Sequence, residues 1–410
     1  MKIELKILFF LSKIYKIWYS WYRLDNNGGK FGMNREKERN SSYELMRIVS
    51  MFLIVLYHII LHGKVLENCQ NEGLKIIFEF IEFVTLVHVN SFILVTGYYQ
   101  VESNFKQSKI WSLLNANWFY RVLIVILLLT FNIVSIDKVS LIKEIFPINL
   151  NEYWFFKNYL LLYCLTPFIN KGIEKLNKST YQKMIIVSFI IFSIVPSVTG
   201  GSYFDNSGFT LYQFVFLYMV GAYLKKYPLS KSYIFKVMSK NMYKLILIFI
   251  LFTCVFSNYI LYKYSMSVSS VNTVLGEISS YVSRASTLYN NPFVIIQSIC
   301  FFEYFGTLTI KNRYINKLAS LVFGIYLIHD NNFSRGLIYA YLKINDGPIY
   351  SYKFIFYVFF IAVLIYAICA VIEYIRQKLF KKIYNFKLSK MIREKYYEFI
   401  KNVKFINSND

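Results

Sequence analysis

Two basic side chains, Arg47 and His58, stand within one long apolar stretch of the sequence. They are 11 residues apart, which on an α-helix is close to three full turns, so both lie on one face with a rise of about 16 Å between them. Ionisable residues inside an apolar span are costly, and each is a functional hypothesis by default. The arginine suits an anionic substrate at the membrane surface, and the imidazole can act as a base or as a nucleophile near the bilayer centre. The alternative is a boundary arginine and a histidine that packs against a neighbouring helix.

A second histidine, His329, lies in another apolar run, 11 residues after Leu318, just as His58 lies 11 residues after Arg47. The two imidazoles can therefore share a level in the membrane. The polar residues that follow, 330–332 and then Ser334 and Arg335, predict a broken helix that lines a cavity. The alternative is that His329 is a histidine of the core.

Further polar side chains in apolar runs are candidates to support this site. Glu79 and Glu82 are three residues apart and share a helix face, so that one of them can orient or charge-balance a histidine. Glu303 and Tyr326 lie in later apolar runs and are further supporting candidates. The alternative for the carboxylates is a structural ion pair, and His62, at the end of its apolar run, is expected to be solvated.

The composition indicates which kind of chain must position these residues. Of the 410 residues, 56% are hydrophobic and only 17% are charged, against roughly a quarter charged in soluble domains, and the mean hydropathy is +0.40. Long apolar runs predict an all-α polytopic membrane protein. The net charge of +23 is divided among short segments between these runs, so no nucleic-acid partner is expected. The five cysteines and four histidines are too scattered for a metal motif, and no metal is expected.

A run of about 20 mostly apolar residues is long enough to cross a bilayer. Ten spans are predicted, at 45–62, 74–99, 115–135, 153–170, 181–197, 209–224, 241–262, 292–309, 318–342 and 353–375. The apolar segment 139–150 is too short to span and is expected to lie at the interface or to re-enter. The longest predicted loop, 263–291, is rich in Ser, Tyr and Asn, and no loop has room for a soluble domain.

The lysines and arginines predict the orientation. If the N-terminus is cytoplasmic, 36 of the 46 lysines and arginines fall in the segments that alternate to the cytoplasmic side of the membrane. This excess is what the positive-inside rule requires. This predicts about ten transmembrane helices with both termini in the cytoplasm. The chain divides into a basic N-terminal segment 1–40, a ten-helix membrane domain 41–380 and a basic cytoplasmic tail 381–410. The N-terminal segment is either a cytoplasmic, interfacial amphipathic helix or a lead-in ahead of a natural start at Met33.

The first apolar run resembles a known signature. Arg47 and His58, preceded by SSYEL at 41–45, are similar to the first-helix motif of the acyltransferase-3 family of bacterial integral membrane acyltransferases. The stretch SFILVTGY at 91–98 resembles that family's FFLISGY motif, although Thr96 stands where the family often has Ser.

Two later stretches resemble the same family. Residues 153–170 are similar to its YWF…YL.LY…PF.N segment, and residues 323–329 to its FGIYLIH helix. The resemblance covers roughly 40–380. No hydrolase-like domain is fused at either end, which favours a stand-alone enzyme of the capsule or exopolysaccharide type.

The resemblance implies an acyl-CoA-dependent acyltransferase of the bacterial cytoplasmic membrane. It would move an acyl group, by default acetyl from acetyl-CoA, to a hydroxyl of a cell-surface or lipid-linked glycan, with no tightly bound cofactor. His58 would be the catalytic histidine and Arg47 its partner in donor binding or support. Lys106, Lys109 and Arg121 are further candidates to bind the phosphates of coenzyme A.

Two functions of other classes stay open on the sequence alone. A transporter or flippase for polysaccharide intermediates would use the same polar cavity without chemistry. A sensory membrane protein is the third interpretation, and the missing soluble output domain argues against it.

Overall fold

A computed structural model describes residues 40–133, 153–199, 208–269, 274–342, 344 and 347–384. Within these ranges the regular structure is helical, and the only strand-like pairing is an isolated bridge between Cys69 and Ile349. The predicted all-α class is confirmed for this part of the chain. The N-terminal segment 1–39, the apolar segment 139–150 and residues 385–410 of the predicted tail lie outside the described residues.

The helices are numbered here in chain order. They are α1 Ser41–His62, α2 Val65–Asn68, α3 Glu72–Thr85, α4 Val87–Gln100, α5 Gln107–Thr130, α6 Trp154–Glu174, α7 Lys178–Phe189, α8 Val195–Thr199, α9 Leu211–Lys226, α10 Lys240–Val268, α11 Val274–Ala285, α12 Pro292–Thr307, α13 Arg313–Ala319, α14 Val322–His329, α15 Asn332–Tyr341 and α16 Lys353–Tyr384. A π-helical turn, Ile190–Ile194, joins α7 to α8, and a 3₁₀ turn, Leu229–Lys231, follows α9.

Six helical stretches of the described residues are long and apolar enough to cross a membrane. They are Ser41–His62, Glu72–Gln100, Gln107–Thr130, Lys178–Thr199, Lys240–Val268 and Lys353–Lys382. The other four predicted spans are also helical, but α9 and α12 have only 16 residues each, α6 is interrupted by polar residues, and the stretch 318–342 is broken. Six candidate spans are therefore present, and the count of ten and the cytoplasmic termini stay predictions.

Helix α1 begins at a capped and anchored end. The Asn40 side chain accepts a hydrogen bond from the Ser42 N–H at 3.1 Å, which satisfies one of the free donors of the first turn. The Ser42 hydroxyl donates to the Leu308 carbonyl, just after α12, at 2.7 Å. The start of α1 is held in register against α12, and Arg47 in its second turn is held with it.

The predicted span 74–99 is divided at Leu86 into α3 and α4. The Thr85 hydroxyl donates to the Glu82 carbonyl at 2.6 Å, and Nδ1 of His88 donates to the Thr85 carbonyl. Side chains that bond to nearby carbonyls compete with the helical hydrogen bonds and bend helices. The break places His88 in the wall of the cavity described below.

Helices α4 and α9 cross in backbone contact. A Cβ added to Gly97 would collide with the Tyr218 carbonyl oxygen, and one added to Gly221 would collide with the Leu94 carbonyl oxygen. Small residues at such a crossing let membrane helices pack closely enough for van der Waals contact to hold them. This crossing fixes α4, which carries a long stretch of the cavity wall.

The predicted break in the span 318–342 is present. Helix α14 ends at His329, with Asp330 in the C-cap position, and α15 begins at Asn332. The Asn331 side chain accepts hydrogen bonds from the first N–H groups of α15, as a good N-cap residue does. The two capping residues thus separate α14 from α15, and Asp330 directly follows His329.

The loop predicted at 263–291 is largely helical instead. Helix α10 continues to Val268, and α11 covers Val274–Ala285. Serine and tyrosine have only moderate helix propensities, so a composition rich in them does not reveal a short helix. The predicted connection between two spans thus contains helical structure in its described residues.

Candidate active site

A cavity of about 780 Å³ runs along one face of α1. Five of the α1 side chains that line it recur every three or four residues, the spacing of one helix face: Tyr43, Arg47, Met51, Ile54 and His58. Glu44, the partner of Arg47, lines it as well. The predicted alignment of the arginine with the histidine is present in the structure. Helix α4 runs antiparallel to α1 along the opposite wall, since His88 lies beside Tyr57 and Tyr99 lies beside Tyr43.

At one end of the cavity His58 and His329 are in contact, with 3.2 Å between Nδ1 of His58 and Nε2 of His329. Nδ1 of His329 lies 2.7 Å from the Ile325 carbonyl oxygen, which can only accept a hydrogen bond. His329 therefore carries its proton on Nδ1, and its Nε2 accepts from Nδ1 of His58. In the neutral ring of His58 the lone pair is then on Nε2. His58 lines the cavity, and this nitrogen is the one able to take a proton there.

Asp330 is the third member of this group. Its Oδ1 lies 3.5 Å from Nδ1 of His58 and 3.3 Å from a guanidinium nitrogen of Arg335. A carboxylate at this distance stabilises the imidazolium that forms when His58 gains a proton. We call His58, His329 and Asp330 the histidine cluster.

The other end of the cavity is cationic. Arg47, Lys109 and Lys225 line it, although each already has a partner. A guanidinium nitrogen of Arg47 lies 2.7 Å from Oε2 of Glu44, and Nζ of Lys225 lies 3.3 Å from Oε2 of Glu102. Nζ of Lys109 lies over a tyrosine ring, 4.4 Å from its centre. Three cations from three helices can meet a ligand that carries several negative charges.

Between its ends the cavity is mostly apolar. The apolar lining side chains of this middle part are Met51, Ile54, Val89, Phe92, Val95, Leu113, Phe155, Phe156, Val322 and Phe323. The hydroxyls of Thr96 and Tyr159 add polar points to the wall. The cavity can therefore hold a ligand with a charged head and a long, weakly polar arm that reaches the histidine cluster.

The structure divides the predicted phosphate-binding residues. Lys109 lines the cavity, whereas Lys106 and Arg121 are outside its lining. The Arg121 side chain is fully buried on α5, and Lys106 is exposed just before that helix. Tyr326 lines the cavity, and its ring centre is 6.5 Å from that of His329.

Glu303 and Glu82 are also outside the cavity lining. The Tyr243 hydroxyl donates to Glu303 at 2.8 Å. Glu79, which shares a helix face with Glu82, pairs with Lys263 at 3.0 Å. For Glu79 and Glu303 this geometry matches the alternative of structural partners between helices.

A third buried carboxylate, Glu373 on α16, has the most partners of these acidic groups. Arg376 contacts it through two nitrogens at 2.7 Å each. The Tyr120 hydroxyl donates to it at 2.5 Å, and the Gln377 amide donates at 2.7 Å. This carboxylate lies away from the cavity lining and ties α5 to α16.

Sequence reasoning missed Lys225 and the contact of Asp330 with His58. In the sequence Lys225 is one of many basic residues in loops. No residue next to it in the sequence indicates that it lies beside the same cavity as Arg47. Asp330 was visible as part of a polar run after His329. Its carboxylate contact with His58 depends on how α14 packs against α1, which a spacing along one helix does not reveal.

Comparison with known proteins agrees with this geometry. A family model described as an acyltransferase domain matches residues 40–374, which contain every side chain that lines the cavity. No curated protein and no solved structure matches the chain. The family match extends over well more than half of the sequence, from the cap of α1 into α16. The chain therefore belongs to the acyltransferase-3 family of membrane acyltransferases.

Proposed function

We propose that this chain is a membrane O-acyltransferase that moves an acyl group, by default acetyl, from cytoplasmic acyl-CoA to a hydroxyl of a cell-surface or lipid-linked glycan. The observation that carries the proposal is the cavity along one face of α1. It joins a cluster of three cations to a histidine whose Nε2 is available as a base. We place the protein in the bacterial cytoplasmic membrane as a multi-pass protein, with the lipid bilayer as its surroundings.

The donor is proposed to bind with its phosphates at the cationic end. Arg47, Lys109 and Lys225 supply charge there, and cation–phosphate hydrogen bonds are among the stronger polar contacts in proteins. The apolar middle of the cavity suits the pantetheinyl arm. The rise from Arg47 to His58 along α1 is about 16 Å. This is the distance that the arm must span to bring a thioester to the histidine cluster. The excess of basic residues in the predicted inside segments supports a cytoplasmic position for this end.

The proposed reaction uses His58 as a general base. Its Nε2 takes the proton of the acceptor hydroxyl while that oxygen attacks the thioester carbonyl, and Asp330 stabilises the resulting imidazolium. The carbon–sulfur bond then breaks, the thiolate of coenzyme A takes the proton back from Nε2, and the ester product leaves. The alternative is a relay in which Nε2 first carries the acyl group itself. Neither route requires a bound cofactor.

The acceptor is proposed to reach the histidine cluster from the opposite side to the donor. Trp154 and Tyr289 line the cavity together with His88, and the two aromatic rings lie nearly parallel, 5.8 Å apart between centres. Aromatic faces beside hydrogen-bonding groups suit a sugar ring. This lining supports a glycan acceptor, the class to which polysaccharide and capsule precursors belong.

The test compares two glutamine variants on the same helix. Membranes from cells that produce the full chain, and therefore contain its acceptors, are incubated with labelled acetyl-CoA, and alkali-labile label in glycan is measured. We expect His58→Gln to lower transfer by about 10²–10⁴-fold, the range for loss of a general base, with normal amounts of folded protein. The matched control, His62→Gln, makes the same change one turn later and should keep transfer near wild type.

Two results would contradict the proposal. Transfer near the wild-type rate in the His58→Gln protein would return this histidine to a packing role. Movement of glycan across the membrane with no consumption of acetyl-CoA would favour the transporter or flippase instead.

A further inference from the structure

Beside the proposed base lies a group of side chains with the chemistry of metal ligands. His58 and His62 are four residues apart on one face of α1, and Asp330 approaches them from the end of α14. Each of the three offers one ligand atom, and these atoms all lie within 4.8 Å of one another. Two imidazoles and a carboxylate from two helices are a ligand set that zinc and similar ions use.

The distance between His58 and Asp330 fits a tetrahedral ion. Ligand atoms about 2.0–2.1 Å from a tetrahedral zinc ion are about 3.3 Å apart. Nδ1 of His58 lies 3.5 Å from Oδ1 of Asp330 and 3.2 Å from Nε2 of His329. Because Nδ1 of His329 is bonded to the Ile325 carbonyl, the lone pair of its Nε2 is directed toward His58. His329 is therefore a neighbour of His58 and not one of the three grouped ligands.

A positive charge already occupies part of this space. One guanidinium nitrogen of Arg335 lies 3.3 Å from Oδ1 of Asp330 and 3.4 Å from Nε2 of His62, two of the three ligand atoms. The arginine side chain is 31% exposed, and its other nitrogen bonds to Asn332 on its own helix at 2.7 Å. It can therefore swing aside, and an ion that displaces it meets two acceptors that already bind a cation.

We propose that His58, His62 and Asp330 form a binding site for a divalent transition-metal ion such as zinc, and that the bound ion inhibits the enzyme. The inhibition, but not the binding, rests on the proposed function. Coordination through Nδ1 of His58 moves the proton of the neutral ring to Nε2, the nitrogen that must accept the proton of the acceptor. A metal-bound His58 has no lone pair left for that step.

Binding is tested first, without any reaction. The purified full chain in lipid nanodiscs, with its affinity tag removed, is titrated with Co²⁺, and the visible absorption of a tetrahedral cobalt site is recorded. We expect one ion per chain, displaced by Zn²⁺ and not by Mg²⁺, which prefers oxygen ligands. Absence of the cobalt absorption in the wild-type chain would overturn the proposal.

Two variants move the affinity in opposite directions. His62→Gln removes a direct ligand and should weaken binding by at least the roughly 10–100-fold that loss of an outer-shell partner costs, whereas Arg335→Gln removes the competing cation and should strengthen it by about tenfold. An unchanged affinity in His62→Gln would place the ion elsewhere. A weaker affinity in Arg335→Gln would show that the arginine supports the site rather than competing for it, and would overturn the geometry proposed here.

Inhibition is tested with the acetyl-transfer assay. Micromolar Zn²⁺ should suppress transfer by the wild-type chain, and a chelator should restore it. Measured against its own rate without zinc, transfer by the His62→Gln protein should resist zinc at concentrations at least about tenfold higher. Equal inhibition of both proteins would overturn the inhibitory role. Cobalt binding to a chain that transfers no acyl group would contradict the proposed function alone, so the two failures are distinguishable.

Discussion

Two groups of polar side chains lie among the apolar helices, and they differ in whether they reach the cavity. The first group consists of the structural pairs Glu79–Lys263 and Glu303–Tyr243, which link helices, and Glu373–Arg376 within α16, all outside the cavity lining. The second is the histidine cluster, of which His58 and Asp330 line the cavity, and it keeps the lone pair of one ring nitrogen of His58 available. Both groups interrupt apolar sequence in the same way.

This difference shows that a buried charge in a membrane protein is a weak sign of a site. Burial of a polar group requires partners, and each structural pair supplies at least one. What distinguishes the histidine cluster is an unused proton-accepting position at the wall of a cavity. Changes to the structural pairs should therefore lower stability, whereas changes to the cluster or to the cationic end should lower activity per folded molecule.

The largest effect on stability is expected for Arg376→Ala. This change leaves the Glu373 carboxylate, 3% exposed, without its charged partner, and breaking a buried ion pair costs about 3–5 kcal/mol. Thermal unfolding in detergent should show the loss. Transfer per folded molecule should stay close to wild type, and the double change Glu373→Gln with Arg376→Met should recover much of the stability. A normal unfolding temperature with low transfer would move this pair into the active site.

The cationic end is a mixed case, because Arg47 faces the cavity and is also paired with Glu44. We expect Arg47→Ala to lower kcat/KM for acetyl-CoA by about 10–100-fold. This corresponds to the loss of one hydrogen bond to a charged group, which contributes about 1.5–3 kcal/mol. Arg47→Lys should be milder, because it keeps the charge. Arg313→Ala, at an exposed position outside the cavity lining, is the matched control. A lysine variant as impaired as the alanine variant would indicate a two-nitrogen contact instead.

A smaller effect is expected for His329→Gln. An amide can present either a donor or an acceptor to Nδ1 of His58, so the proton of that ring is no longer fixed on one nitrogen. We expect kcat to fall by about tenfold, the value of one hydrogen bond, with KM for acetyl-CoA unchanged. Nitrogen NMR of the His58 ring should show mixed tautomers. A variant that loses stability while kcat per folded molecule is unchanged would make His329 a core histidine.

The smallest effect is expected for Glu303→Gln. The amide oxygen still accepts from the Tyr243 hydroxyl, so the free energy of unfolding should fall by only about 1 kcal/mol. Transfer should stay within about twofold of wild type, since the side chain is outside the cavity lining. Circular dichroism during heating and the transfer assay measure the two quantities. A tenfold loss of kcat in a stable protein would return Glu303 to the catalytic machinery.

The sequence predicted those features that depend on one segment of chain. The eleven-residue spacing placed Arg47 and His58 on one face of α1, and the polar run after His329 predicted the break between α14 and α15. The break at Leu86 was not predicted, because apolar residues continue through it. It depends on hydroxyl and imidazole bonds to carbonyls that have no signal in hydropathy.

Contacts between distant segments were beyond the sequence. The pairing of Glu79 with Lys263 on α10 and the position of Lys225 beside the cavity depend on how helices pack. Arg121 has the same charge and a similar position near a predicted boundary, yet it is fully buried outside the cavity lining. A basic residue near the end of an apolar run thus does not reveal whether it faces a ligand, the bilayer surface or a neighbouring helix.

The hydrogen bonds from His58 through His329 end on the Ile325 carbonyl. This arrangement determines whether protons can move along the two histidines. A backbone carbonyl has no proton to give and no exchangeable site to hold one, so the two histidines do not form a proton wire along α14. A proton that arrives at Nε2 of His58 therefore cannot pass through His329 to the backbone of α14. The proposed reaction is then not coupled to proton movement along this route.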